Sequence, residues 1–241
     1  MSQLEKNVVE SEFPRSKPHI GILSTPHNMA AVWKIMDLVE QYTPYENIHL
    51  LHSEEWNDEV DMIVIPGGAD IQPDNGIGSF SRQQKSDHFV TYFMERRASF
   101  YLKRGVRLFG ICAGFQALGI YCGIPIRPHF DGHQLAAVHK ATTVPNDVVK
   151  NMPSQCNVNS RHHQGFFMED IPVKAPVVPL VQFNRVLEAF ITVEGDIAGV
   201  QWHPEDHLNT VDSNDLTGTE GKLIGDVYFH KIFSHFLNLI P

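Results

Sequence analysis

RLFGICAGFQALGIYC, residues 107 to 122, decides the architecture. An apolar run, Val106, Leu108, Phe109 and Ile111, leads into and through its first half, and its second half falls into helical spacing at Phe115, Leu118, Gly119 and Cys122. The change of period lands on Gly110-Ile111-Cys112-Ala113-Gly114. The stretch therefore reads as a strand, a sharp turn and a helix, with a thiol at the turn. A nucleophile on such an elbow stands at the carboxyl edge of a sheet and meets the positive end of the helix dipole, which favours thiolate. Gly110, Ala113 and Gly114 suit the crowding of that turn. Two other readings remain open on this stretch alone: a buried apolar cysteine, and the elbow shape that serine hydrolases share.

Upstream, His19 to Leu23 is a short buried strand closed by Ser24-Thr25-Pro26. Asn28 is placed to cap a helix whose apolar face is Met29, Val32, Trp33, Met36 and Val39, and Pro44 stops it. Residues 48–51 and 60–65 are further strands, the second running into Pro66-Gly67-Gly68-Ala69-Asp70. A polar loop at 71–81 leads to a helix over 83–103 with Phe89, Val90, Phe93 and Phe100 inward. Downstream, residues 142–156 read as a strand and a turn, and 157–165 (NVNSRHHQG) as a polar segment that packing alone would not call for. Strands at 177–183 and 186–193 meet at Asn184-Arg185, 197–202 is a strand delivering His203-Pro204-Glu205, and a helix spans roughly 221–239. Strand and helix alternate, and the strands are continuous apolar runs. That pattern predicts an α/β fold with a mostly parallel central sheet covered by helices on both faces. The active crevice of such sheets lies at the carboxyl ends of the strands, where Gly67-Gly68 and Cys112 would meet.

A cysteine nucleophile needs a base, and the base needs an orienting group. His203 and Glu205 fit: on an extended strand end residues i and i+2 point the same way, and Pro204 restrains the backbone between them. Acyl transfer also needs donors for the oxyanion. The Ala113 amide, at the helix start, and the Gly68 amide, in a turn where Gly67 and Gly68 let the backbone approach a ligand, are the two candidates. Gln116 lies one helical turn past Cys112, placed either to contact substrate or to brace the loop. His162 is placed to shape the pocket.

With 241 residues, 42% hydrophobic and 20% charged, the chain has an ordinary globular composition. A formal charge of -9 without a Lys/Arg cluster argues against nucleic acid or an anionic membrane surface as partner. Three cysteines without framework spacing, no signal-peptide pattern and no long apolar window predict a cytosolic protein. The fourteen histidines are scattered, with His162-His163 adjacent, so neither a metal site nor any cofactor is expected. Residues 1–17 read as a flexible leader and 18–241 as one domain.

Three motifs taken together, PGG at 66–68, GICAGFQ at 110–116 and GVQWHPE at 199–205, resemble the signatures of class I glutamine amidotransferase domains. VNSRHHQGF (158–166), LEAF (187–190) and GGADIQP (67–73) are more narrowly similar to the γ-glutamyl peptidase branch (peptidase C26), which includes γ-glutamyl-γ-aminobutyrate hydrolases. The resemblance implies a flavodoxin-like sheet with Cys112 as nucleophile, His203 as base and Glu205 as its orienter. It further implies an oxyanion hole from Gly68 and Ala113, with Gly67, Gln116 and His162 near a γ-glutamyl group. Two departures concern which amide is bound: Asp74-Asn75-Gly76 stands where that branch has an aromatic-Gly pair, and Ala113 stands where it often has Arg. The substrate implied is glutamine or a small γ-glutamyl amide. Ammonia transfer would need a separate synthetase chain, since no GxxxxGK[ST] loop occurs here. A non-catalytic binding subunit is the competing class, against which Cys112, His203 and Glu205 are all present. Homo-oligomerisation is left open.

Overall fold

The computed structural model describes residues 17–24, 28–52, 56–68, 70–71, 88–131, 133, 137–209 and 225–240. Apolar runs supply the first strands: β1 (Ile20–Leu23), β3 (Met62–Ile65) and β4 (Arg107–Ile111), buried on both faces, and the edge strand β2 (Ile48–Leu51), partly buried. Alternate residues serve opposite cores. Ile20, Ile22, Met62, Val64, Phe109 and Ile111 join one cluster, while Leu23, Ile63, Ile65 and Leu108 join the other. Helices α1 (Met29–Val39) and α5 (Gly225–Asn238) cover the first face, and α2 (His88–Arg96), α3 (Ala98–Lys103) and α4 (Ala113–Tyr121) the second. Phe109 meets Phe233 edge-on at 5.0 Å, which ties α5 to the centre of the sheet.

The sheet is less parallel than expected. After β5 (Ala137–Thr143), β6 (Gln155–Ser160), β7 (Phe166–Phe167), β8 (Val177–Phe183), β9 (Val186–Thr192) and β10 (Ile197–Val200), the order is β2-β1-β3-β4-β10-β9-β8-β5-β6, with β7 beside β9. The pairings from β2 through β10 are parallel, and those from β10 outward are antiparallel. Strands joined by short turns can only pair antiparallel. The β8–β9 hairpin turns on two residues, with Asn184 at φ 55°.

Other expectations move. The helix predicted over 83–103 is two helices, because Arg97 (φ -121°, ψ -33°) breaks the ladder; residues 83–87 lie outside the described residues. The break turns the second segment, so Tyr101 rather than Phe100 is buried, while Phe93 stays fully inside. Trp33 lies off the α1 stripe and is 51% exposed; Ile35 and Leu38 take its place. Asn28 makes no side-chain cap. Residues 157–160 of the polar segment 157–165 belong to strand β6, paired along β5. The predicted loop at 71–81 beyond Ile71, Phe89's side chain, residues 221–224 of the last helix and the leader up to residue 16 lie outside the described residues. No described helix is long and apolar enough to cross a membrane.

Candidate active site

β3, β4 and β10 are parallel neighbours in the sheet, so the segments leaving their carboxyl ends emerge side by side. Pro66-Gly67-Gly68 follows β3, Cys112 follows β4, and Gln201-Trp202-His203 follows β10. Cys112 sits at φ 51°, ψ -108°, a conformation L-residues rarely adopt. The surroundings hold it there. Its amide donates to the Val200 carbonyl at 2.9 Å, and its own carbonyl accepts from the Gln116 amide at 3.0 Å. The elbow also needs α4 to press against β3: a Cβ at Gly114 would lie 2.1 Å from the Ile65 carbonyl oxygen, so only glycine fits.

His203 touches both of its expected partners. Its Nδ1 lies 2.7 Å from Glu205 Oε1, whose carboxylate is 2% exposed, and the Cys112 sulfur is close enough to favour the charged ring. Since a carboxylate only accepts, Nδ1 carries the hydrogen and Nε2 is left for the sulfur. Burial alone would disfavour the imidazolium. The sulfur and Glu205 outweigh that and push His203 up to about 10. The other thiols have no such company: burial lifts Cys122 to about 12 and raises Cys156 further.

The route by which Glu205 arrives differs from the expected one. β10 ends at Val200, and Pro204–Asn209 is a 3-10 turn, so His203 and Glu205 meet around a turn opened by proline rather than along an extended strand. The backbone of His203 is clamped by a residue that sequence reading does not single out. Asn159 on β6 accepts from the His203 amide at 2.8 Å and donates to its carbonyl at 2.9 Å. The polar character of 157–165 is the only signal for it.

Gly67 lies directly under the imidazole, where an added Cβ would come 2.8 Å from His203 Cε1 and 3.4 Å from the Cys112 Cβ. Gly67→Ala is therefore expected to displace the ring and lower kcat by about 10- to 100-fold, while costing about 1 kcal/mol or less of stability. Steady-state kinetics and urea unfolding on the same variant check both halves. Ala113 opens α4, so its amide has no partner within the helix, and Gly68 lies exposed beyond β3.

Gln116 and His162 are both buried. The Gln116 amide nitrogen donates to the Gln164 carbonyl at 2.9 Å and to Gln201 Oε1 at 3.2 Å, which braces the loop after β6 against α4. That loop in turn holds the one after β3: Gln164 Oε1 accepts from the Ile71 amide at 2.9 Å, and His163 Nε2 lies 3.0 Å from Asp70 Oδ2. His162 points away into a buried group with His133, His139 and Glu188, and burial drives it down to about 4.

A thiol elbow at the meeting of parallel strand ends, followed along the sheet by an antiparallel extension, is the fold of class I glutamine amidotransferases. A glutamine amidotransferase from Thermotoga maritima aligns with a TM-score of 0.62 at 16% identity over 92% of this chain and 98% of that one. A protein from Thermoplasma acidophilum, provisionally named as part of a GMP synthase, aligns at 0.57 and 16%, over 92% and 93% of the two chains. The chain belongs to the peptidase C26 family, whose model matches residues 44–205. A Schizosaccharomyces pombe protein provisionally named glutamine amidotransferase PB2B2.05 is 28% identical over 162 residues, 61% of this chain and 62% of its own length. The matched region thus spans under two thirds of that curated relative.

Proposed function

We propose that the chain hydrolyses the γ-glutamyl amide bond of glutamine or of a small γ-glutamyl amine through a thioester on Cys112. The observation that carries this reading is one imidazole, His203, hydrogen-bonded to the buried Glu205 and packed over Gly67 beside the strained Cys112. His203 holds the thiol proton on Nε2 while Glu205 keeps Nδ1–H oriented. The Cys112 sulfur attacks the γ-carbonyl carbon, and the electron pair displaced onto oxygen is met by the amides of Gly68 and Ala113. The tetrahedral adduct collapses, the C–N bond breaks, and His203 delivers its proton to the departing amine. Water then gives a proton to His203 and attacks the thioester, releasing the γ-carboxylate and restoring the thiol. Gln116 acts through the loop it braces, keeping the walls of the cleft together.

The deciding experiment assays the purified chain alone against glutamine and a panel of γ-glutamyl amides. Turnover of at least one of them, abolished in Cys112→Ala, is expected. Silence on the whole panel would remove the hydrolase reading. A second reading, glutaminase activity coupled to a separate synthetase chain, is favoured by the likeness to a protein named as part of a synthase. It predicts glutamine turnover that rises on adding that partner.

His203 also links pH to stability. Its value in the fold, about 10, stands above the ordinary 6.5, so protonation of this ring stabilises the fold. That contribution is complete below about 6.5 and is lost as pH rises through about 10. Glu205→Gln removes one of its sources. The stability deficit of this variant relative to wild type, measured by urea unfolding, is expected to be larger at pH 7 than at pH 10, and a deficit that grows with pH contradicts the assignment.

A further inference from the structure

Behind the catalytic residues lies a second cluster of ionisable side chains. Glu188 on β9 is fully buried, and three buried imidazoles surround it: His133 from the segment before β5, His139 on β5 and His162 just after β6. His133 Nδ1 is 3.2 Å from His162 Nε2 and 3.4 Å from Glu188 Oε1, and His162 Nε2 is 3.8 Å from the same oxygen. His139 Nε2 is 3.2 Å from that oxygen, its ring stacked on Phe183 at 4.1 Å. Despite these distances, no well-directed hydrogen bond from the described residues reaches either Glu188 oxygen. A buried carboxylate left this way is costly unless something positive completes it.

The tautomer of His162 sharpens the problem. Its Nδ1 lies 2.8 Å from the Gln164 carbonyl oxygen, which only accepts, so Nδ1 carries the hydrogen and Nε2 presents a lone pair. That lone pair and the Glu188 oxygen are two acceptors, and His133 Nδ1, 3.2 Å from one and 3.4 Å from the other, carries at most one hydrogen for both.

We infer that His133 Nδ1, His162 Nε2 and Glu188 Oε1 form a binding site for a divalent first-row transition ion, with zinc the best match. Ligand atoms on a tetrahedral zinc, each about 2.0–2.1 Å from the ion, stand about 3.3–3.4 Å apart. The three edges here are 3.2, 3.4 and 3.8 Å. Two imidazoles and a carboxylate are a borderline donor set suited to zinc. The supports a metal centre needs are also present. The Gln164 carbonyl fixes the His162 ring, and the His133 carbonyl accepts from Ser160 Oγ at 2.7 Å and from the His162 amide at 3.1 Å. The Gln164 carbonyl is the same one that Gln116 of the elbow helix binds, and the Glu188 carbonyl accepts from the Gln201 amide at 2.7 Å, two residues before His203. The ion would therefore fasten the wall of the catalytic cleft to β9 and take no part in the chemistry. Linear spacing could not reveal it, because its ligands come from three separated segments.

The test uses the full chain carrying Cys112→Ala, which removes the thiol as a competing ligand. The protein is equilibrated with zinc, dialysed against metal-free buffer and analysed by elemental mass spectrometry and thermal melting. About one zinc per chain and a raised Tm are expected, with retention falling below about a tenth in His162→Ala and in Glu188→Gln. Cobalt(II) in place of zinc should give the visible absorption of a tetrahedral site in the parent. The rival is a proton on His133 Nδ1 shared between His162 and Glu188. It predicts a parent with less than about a tenth of a zinc per chain, no zinc-dependent Tm and no cobalt bands, and that outcome overturns the inference. Undiminished zinc in the folded variants overturns it equally. Should neither variant fold, the parent's zinc content and cobalt spectrum decide.

Discussion

Cys112→Ala is expected to lower turnover of glutamine and γ-glutamyl amides by about 10⁴-fold or more while leaving the fold in place. Removing the nucleophile of a catalytic unit costs nearly as much as removing the whole unit, because the base and the oxyanion donors cannot act without it. Stability should not suffer in proportion. The thiol is a small group at 7% exposure, and alanine removes only its sulfur while relieving none of the backbone hydrogen bonds that hold the elbow. Steady-state assays beside thermal melts read the two quantities separately. Activity within tenfold of wild type in a folded variant would take Cys112 out of the reaction. A wild-type chain incubated with a γ-glutamyl electrophile should also gain one adduct mass that this variant lacks.

Gly114→Ala is expected to be the most damaging single methyl that can be added to the site. The new Cβ would sit 2.1 Å from the Ile65 carbonyl oxygen and 2.8 Å from its carbonyl carbon, both backbone atoms of a central strand. A flexible side-chain end can give way, but a strand paired on both edges cannot. The variant should lose about 3 kcal/mol or more by urea unfolding, at the upper end of what overpacking costs, and whatever folds should be inactive because α4 carries the elbow. A loss under about 1 kcal/mol would mean that α4 can retreat from β3 without penalty, contrary to that close packing.

How much is legible follows from which signals are local. Period changes are local: the apolar run up to Ile111 and the helical spacing after Ala113 predict β4, the elbow and α4 close to their observed bounds. Motif identity is also local, so PGG, GICAGFQ and GVQWHPE point to the family that the match over residues 44–205 shows. Pairing direction is local only where strands meet at a short turn, as β8 and β9 do at Asn184-Arg185. That β8 also pairs antiparallel with β5, from a distant part of the chain, and so completes the antiparallel half of the sheet is not. The phase of a helix after a break is likewise invisible, which is why the spacing points Phe100 at the core that Tyr101 occupies.

From the sequence by itself came the strand-elbow-helix unit, the three motifs and the choice of Cys112, His203 and Glu205, because each depends on residue type and short-range spacing. Only the tertiary structure decided how these residues meet. The turn at Pro204 brings Glu205 to Nδ1, and Asn159, 44 positions away, clamps the His203 backbone from β6. His133, His162 and Glu188 converge in the same way from segments that have no contact along the chain. Side chains that meet across a sheet leave no periodic trace in the order of residues, since their distance is set by strand pairing and burial rather than by separation in sequence.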